Sequence, residues 1–544
     1  MSGRLLNKSE QAAAFESLPV FNELVSSMTT HIDNSRIKHH VTQYYRYAMF
    51  SHKWEYNEPL FEKVIHIVVS DLDKSPTHDK LKMFCKIVRD AGLHWAWSDT
   101  CCINQADHSV LQEALVAMFG WYQGSAITII FLGGVRSPSR RGDLVKSMWN
   151  TRAWTLQEYH ASKVVRFYNE DWTLYMGLDI PNHKDSPEII SEMEEATGVS
   201  ARTLMELRPG RNNIREKLRL ASTREMTRVE DAAYSLLGIF SISLSVVYGE
   251  GDNSLGRLLA QLLTSSGDAS ILAWTGKSSQ YNSCLPADIS VFSKPPTTHI
   301  PSVTKDAQID GTAVRLHTPS LNLASVTKLY NQLHALPVPL FVGQRVKLPC
   351  IIFKLGGLSA SSSRSRSGRV FRAHTAGLGM VEINTKEDLF RWGSLILIHP
   401  WMDYLLDRQS VDSITGTSLE NSTESQFSMI NQLPDPSSGT SAARQPRAVQ
   451  FLAHLGRPFS TWPRGPAPTS RIPPSSVSLT DKPTQILSFI SRLRKPFGAL
   501  LLTPTRQNVP EYRRVATDSL IRVEIQKDAS LEMLIDNSQV LDVL

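Results

Sequence analysis

Apolar positions along the first third of the chain change period repeatedly, and each change marks an element. "YYRYAMFS" (44–51) is aromatic and strand-like, while "LFEKVIHIVVSDL" (60–72) places Leu60, Val64, Ile67 and Val68 on one helical face. A second helix runs through Leu81, Phe84, Cys85, Val88 and Ala91, and "LHWAWSD" (93–99) follows as a short strand. Asp107 is placed to cap a helix carrying Val110, Leu111, Ala114, Leu115, Met118, Phe119 and Tyr122, which Gly124 ends. "AITIIFLGG" (126–134) reads as a buried parallel strand, "VRSPSRRGD" as a loop, "MWNTRAWTLQEY" (148–159) as a helix and "KVVRFY" (163–168) as a strand. Strands that alternate with helices predict an α/β fold, a parallel sheet with flanking helices.

The pattern then shifts twice. Residues 186–265 read as helical, including "RVEDAAYSLLGIF" and "SLGRLLAQLL". Beyond Trp274, "AVRLHTPSLNLASV", "QRVKLPCIIFKL" and "LFRWGSLILIHP" alternate and are rich in β-branched residues, which predicts a β-rich C-terminal module. The Ser/Arg tract "SASSSRSRSGR" (359–369) and the Ser/Thr/Pro/Gly/Gln-rich stretch 410–475 bury too little apolar surface to offset their ordering entropy, and read as disordered linkers. The resulting division is an N-terminal segment 1–40, an α/β domain 41–185, a helical extension 186–280, a β-rich module 281–409, a linker 410–480 and a segment 481–544 completing the β module.

Length and composition narrow the class. A chain of 544 residues exceeds one compact core and suggests roughly two to four units. Its formal charge of +6 is a mild excess spread over a long chain, so no nucleic-acid partner is expected from it. Five cysteines with no CxxC pair argue against a disulfide framework or a zinc knuckle. The N-terminus lacks the apolar core of a secretory signal, and residues 236–248, the longest apolar candidate, are broken by serines and too short to span a bilayer. The expectation is a soluble cytoplasmic protein with no membrane span.

In an open parallel sheet, ligands bind beyond the carboxyl ends of the strands. Those ends supply Ser51, His52 and Trp54 in "SHKW", Asp99 and Asn104 in "SDTCCINQ", and Gly133 with Gly134. The helix after the third strand adds Trp154 and Glu158, four apart and so on one face, an aromatic surface beside a carboxylate. The competing structural reading makes Trp154 core and pairs Glu158 with Arg152 or Arg166. Metal binding by His94, Asp99, Cys101, Cys102 and His108 is set aside because adjacent cysteines in a strand or turn point apart, and no metal is expected. A cysteine nucleophile paired with His52 is a minor reading. "TGKSS" (275–279) has Ile271 where a phosphate loop needs glycine, and "GEGDNSLG" (249–256) reads as a turn capped by Asp252 or Asn253.

In order and spacing, "YAMFSHKW", "WAWSDTCCINQ", "MFGWYQGSAITIIFLGG", "RAWTLQE" and "VVRFYNEDW" resemble the blocks of the fungal heterokaryon-incompatibility (HET) domain. "TREMTRVEDAAYSLLGIF", "VYGEG" and "SILAWTG" resemble the segment that follows it, so the likeness covers about residues 40–280. Glu55 departs from the pattern, standing where many members carry glycine. The resemblance implies an effector of fungal self/non-self recognition and programmed cell death. It also implies a distant relation to the Toll/interleukin receptor (TIR) fold, a TIR/flavodoxin-like sheet. Enzymatic TIR domains cleave NAD at the nicotinamide–ribose bond with a glutamate in the helix after a central strand, and Glu158 is the matching position. On this reading NAD is a substrate, no cofactor is needed, Trp154 or Trp54 stacks on a ring, and Asp99 and Ser51 hold ribose or phosphate groups. The alternative it implies is a non-catalytic scaffold acting through HET–HET or partner contacts. A DNA-associated role rests only on the Ser/Arg tract and pI.

Overall fold

The computed structural model describes residues 3–28, 33–293, 323–365, 368–401, 482–506 and 510–544. The chain divides into two compact units, one of residues Met1–Gly249 and one that begins at Glu250. The first opens with three helices, α1 (Lys8–Glu16), α2 (Pro19–Met28) and α3 (Asn34–Tyr44). Next come β1 (Tyr47–His52), α4 (Phe61–Val64), α5 (Pro76–Asp90), β2 (Trp95–Ser98), α6 (Asp99–Cys102), α7 (His108–Gly124) and β3 (Ile127–Leu132). Three helices, α8 (Asp143–Lys146), α9 (Met148–Thr151) and α10 (Ala153–Ala161), lead to β4 (Val165–Asn169).

The four strands form one parallel sheet in the order β2-β1-β3-β4, with Ala48 paired to Ala96 on one side and to Ile127 on the other. Every residue of β1 is buried, as a central parallel strand covered on both faces must be. Alternation divides the strand. Ala48 and Phe50 pack with Ile129 and Phe131 under Leu81, Phe84 and Val88 of α5. Ile130 and Leu132 join Trp149, Tyr159 and Phe167 on the other face, where α7 and α10 also lie against each other. Asp107 caps α7 through the Ser109 and Val110 amides, as its position predicts.

Two expected helices differ. Residues 60–72 hold only α4 and a 3-10 turn at Val69–Asp71, because Val64, Ile65, Ile67, Val68 and Val69 are β-branched and restrict χ1 against a helical turn. The stretch 148–159 is two helices, broken where Arg152 adopts extended φ −79°, ψ 140°. The break is held by backbone bonds from Ala153 to Glu225 and from Glu225 to Thr151, and by the Thr155 hydroxyl donating to the Trp149 and Arg152 carbonyls. Adjacent Cys101 and Cys102 sit on the one-turn helix α6 with sulfurs 3.9 Å apart, closer than a strand would have placed them.

The helical run continues as α11 (Pro187–Thr197), α12 (Ala201–Glu206), α13 (Ile214–Ser222), α14 (Asp231–Tyr234) and α15 (Leu237–Phe240). The second unit begins with α16 (Asn253–Ser266), with Asp252 at its N-cap position but making no side-chain cap bond. It continues with α17 (Leu323–His334), β5 (Leu340–Val342), β6 (Arg345–Ser365), β7 (Gly368–Thr375), β8 (Gly379–Thr385) and β9 (Ile396–Pro400). After α18 (Lys482–Leu493) come β10 (Phe497–Pro504), β11 (Glu511–Arg514), β12 (Ile521–Val523), α19 (Leu531–Asp536) and β13 (Ser538–Val543).

These strands form the β-rich C-terminal sheet, and the last segment completes it. Pairing runs β6–β9–β10–β11–β13 and returns to β6, so five strands close a ring. Ile351, Phe353, Leu397 and Leu501 pack with Val326, Leu329 and Leu333 of α17 and with Leu534 of α19. Buried Arg514 donates to the carbonyls of Leu272, Trp274 and Cys284 and lies 3.9 Å from the Trp274 ring, tying the segment after α16 to β11. The strand expected at 313–326 falls partly outside the described residues, and its end, from Leu323, starts α17 instead: Val326, Leu329 and Leu333 follow a helical period. The Ser/Arg tract is also ordered where described. Residues 359–365 extend β6 and pair with β7, whose backbone supplies the hydrogen bonds that composition alone left unassigned. The linker 410–480 lies outside the described residues. No helix among the described residues is long and apolar enough to cross a membrane.

α15 meets α7 so closely that a Cβ on Gly238 would stand 2.2 Å from Phe119 Cβ. Gly238→Ala should therefore destabilise the first unit by about 1–3 kcal/mol. Denaturant unfolding followed by tryptophan fluorescence checks this, and an unchanged midpoint would mean that the helices separate freely.

Candidate active site

Because β1 and β3 are parallel neighbours and the chain reverses its direction of travel between them, their carboxyl ends meet at the sheet's switch point. Ser51, one residue from the end of β1, faces α10. Its hydroxyl donates to Glu158 Oε2 at 2.5 Å and accepts from Trp149 Nε1 at 2.7 Å. The order is fixed because an indole N–H only donates. The Tyr122 hydroxyl of α7 reaches both this carboxyl and the Phe50 carbonyl, 3.0 Å from the latter.

Glu158 is 5% exposed, and burial together with the nearby Asp99 charge pushes its carboxyl up to about 8, against the lowering pulls of Ser51, Arg152 and Tyr122. Asp99 is also raised, chiefly by burial, although His52, Trp54 and Arg152 favour its ionised form. Trp54 Nε1 donates to Asp99 Oδ2 at 2.7 Å, while Asp99 Oδ1 has no partner. Two carboxyl groups thus share a desolvated rim with Arg152, half-exposed, as the cation attracted to both. The fully buried Arg224 supports this arrangement from behind: it donates to the Arg152 carbonyl, Thr155 Oγ1 and Asn150 Oδ1.

Ser51, Trp54, Asp99 and Glu158 therefore come together. His52, the next residue of β1, turns to the other face and stacks on Phe50 at 4.3 Å. Both its ring nitrogens are buried without a hydrogen bond, with Glu58 Oε1 3.6 Å from Nε2. Trp154 shares Glu158's helix, but its side chain hydrogen-bonds to Asp231, which also accepts from Tyr248. Asn104 closes a turn by accepting from the Ala106 amide. Arg166 pairs with Asp179 at 2.5 Å rather than with Glu158. Trp149, Tyr122, Arg224, Glu58 and Lys80 were not anticipated. Trp149 had a visible signal in its position nine residues before Glu158, but the break at Arg152, which determines where it points, has none.

These features define an α/β domain with an open parallel sheet whose carboxyl edge carries a buried pair of acids. Residues 47–143 match the family model described as Heterokaryon incompatibility protein (HET), and this segment of the chain is similar to that family. Ser51, Trp54, Asp99 and Tyr122 lie inside the matched span, and Trp149 and Glu158 follow it. The chain is also 32% identical over 227 residues to the Vegetative incompatibility protein HET-E-1 of Podospora anserina. That similarity covers 39% of this chain and only 16% of the relative's length. No solved structure matches the chain.

Folding raises the Glu158 pKa, so between the ordinary value of 4.5 and about 8 the native state holds a proton that the unfolded chain has released. The stabilisation is full below 4.5 and is lost as pH rises through about 8. Glu158→Gln imitates the neutral acid and lacks this dependence. Between pH 5 and 9 wild type should lose at least ~1 kcal/mol relative to Glu158→Gln, since each tenfold change in proton affinity corresponds to about 1.4 kcal/mol. Melting both proteins across that range checks it, and parallel curves would mean that Glu158 is ionised throughout.

Proposed function

We propose that this chain acts in heterokaryon incompatibility as a HET-domain effector, and that its reaction is hydrolysis of NAD to nicotinamide, ADP-ribose and a proton. One observation carries the chemical part: the Glu158 carboxyl sits at the tip of β1, bonded to Ser51 and beside Asp99, where an open parallel sheet binds ligands. The name of the Podospora relative supports the biological part.

At rest Glu158 is the neutral acid. A nicotinamide ring carries positive charge, and its approach favours the ionised carboxylate, so substrate binding expels the proton. The carboxylate then faces the ribose carbon as the C–N bond breaks. It stabilises the oxocarbenium-like state, nicotinamide leaves as a neutral base, and water adds to the ribosyl cation and gives up its proton. Ser51 and Asp99 are placed to hold ribose or phosphate groups, and Trp54 to stack on a ring. The 5% exposure of Glu158 requires the rim to open first, by assembly with another copy or a protein partner. That same burial favours a second reading, a scaffold in which the network only stiffens the domain.

Concentrated or crowded protein should release nicotinamide from NAD, and Glu158→Gln should lower the rate roughly 100-fold or more at matched melting temperature. Glutamine keeps the shape and a hydrogen-bond donor, so a merely structural role survives it. Cell death that persists in Glu158→Gln while NAD stays level would establish the scaffold reading instead.

A further inference from the structure

Between β1 and α4, residues 53–59 form a loop fastened at several points. The Trp54 indole donates to Asp99, and the Glu55 amide donates to Glu58 Oε1 at 3.0 Å. Lys80, from α5, reaches across: its ammonium hydrogen-bonds to Glu58, lies 3.7 Å from Glu55 Oε1 and 3.5 Å from the Lys53 carbonyl, and stands 5.7 Å from the Phe131 ring centre. Thr77 Oγ1 of the same helix donates to the Asn57 carbonyl at 2.7 Å. The Lys80 and Glu58 side chains are each 4% exposed. Gly133, at the end of β3, lets this loop approach, since a Cβ there would meet Glu55 Oε1 at 3.3 Å.

Opposing features strain the same loop. Asn57 holds φ +66°, and Tyr56 at the tip is 91% exposed. His52 Nδ1 and Asp99 Oδ1 are buried without a hydrogen bond, and His52 Nε2 has only the Glu58 carboxylate at 3.6 Å, groups that water would satisfy if the loop lifted. The buried Lys80–Glu58 pair is itself costly to desolvate, so the closed position combines strong local bonds with a set of penalties that opening relieves.

We propose that residues 53–59 are a latch that seals the Glu158 rim, with Lys80 as its pin and the Trp54–Asp99 bond as its closing contact. The proposal rests on the reading of Glu158 as the reactive group, and names how access to that group is controlled. Removing the pin takes the ammonium from Glu58 at 4% exposure and leaves it only the Glu55 amide and the His52 ring, too little for a buried charge, which drives it toward water and lifts the loop.

Hydrogen exchange on the full-length chain tests this without relying on activity. In Lys80→Met, amides of residues 53–60 should exchange at least tenfold faster than in wild type, while those of β1 and β3 keep wild-type rates. Trp54→Phe, which removes the donor to Asp99 but keeps a ring, should act in the same direction, and carries the test where Lys80→Met fails to fold. Nicotinamide release from NAD is measured on the same samples. Faster exchange with a several-fold rise in release supports both the latch and the hydrolytic reading. Faster exchange with no release upholds the latch and overturns hydrolysis. Wild-type exchange at 53–60 in the folded variants overturns the latch, whatever the activity.

Discussion

The hydrogen bond from Ser51 to Glu158 joins positions 107 residues apart, and most of the first unit's arrangement follows from keeping it dry. The bond needs β1 central in the sheet, so that Ser51 is covered. It also needs α10 to restart at Ala153, so that Glu158 falls over the tip of β1. Trp149 must lie close enough to supply the one hydrogen bond that the Ser51 oxygen would otherwise lack. A buried polar chain of this kind is favourable only when every member is satisfied, because a missing partner costs about 1–3 kcal/mol. The buried Arg224 serves that end without a hydrogen bond to Glu158. By holding the Arg152 and Thr155 oxygens it fixes the break between α9 and α10.

The two faces of β1 divide the site into unlike halves. Toward α10 the side chains form a hydrogen-bonded network around Glu158. Toward α5 the next residue, His52, meets an ion pair and has no hydrogen bond of its own. Strand alternation alone produces this division, since consecutive residues must point to opposite faces. Trp54 belongs to neither half: it leaves the strand and reaches sideways to Asp99 at the end of β2. The loop that carries Trp54 therefore contacts both the ionic half, through Glu58, and the acid pair, through Asp99.

Much of this was legible in the chain. The strand–helix alternation, the Asp107 cap, the β-rich second half and the gathering of Ser51, Trp54, Asp99 and Glu158 at one edge all follow from period, capping chemistry and sheet topology. What was not legible shares a cause. Helical spacing put Trp154 and Glu158 on one face, but period specifies a face and not a partner, and Asp231, 77 positions along, engages Trp154. The break at Arg152 is enforced by the backbone of Glu225, another long-range contact with no local sign. The Ser/Arg tract pairs as a strand because its backbone finds β7, which its side-chain composition does not report.

A carboxyl cannot rest in a dry network and also stabilise a passing cation without a change of state. Burial and the nearby Asp99 charge favour the protonated form of Glu158, because ionisation there would place negative charge beside another carboxyl in a desolvated site. To meet an oxocarbenium-like ribose it must lose that proton, which requires either a positive ring at close range or water, and both require an opening at the rim. Burial, the raised pKa and the fastened loop are thus three expressions of one condition. If Glu158 is the reacting group, as proposed, its cover of residues 53–59 makes an opening of the rim the first step. On the proposed reading, the barrier to reaction lies in uncovering the group and not in the chemistry that follows.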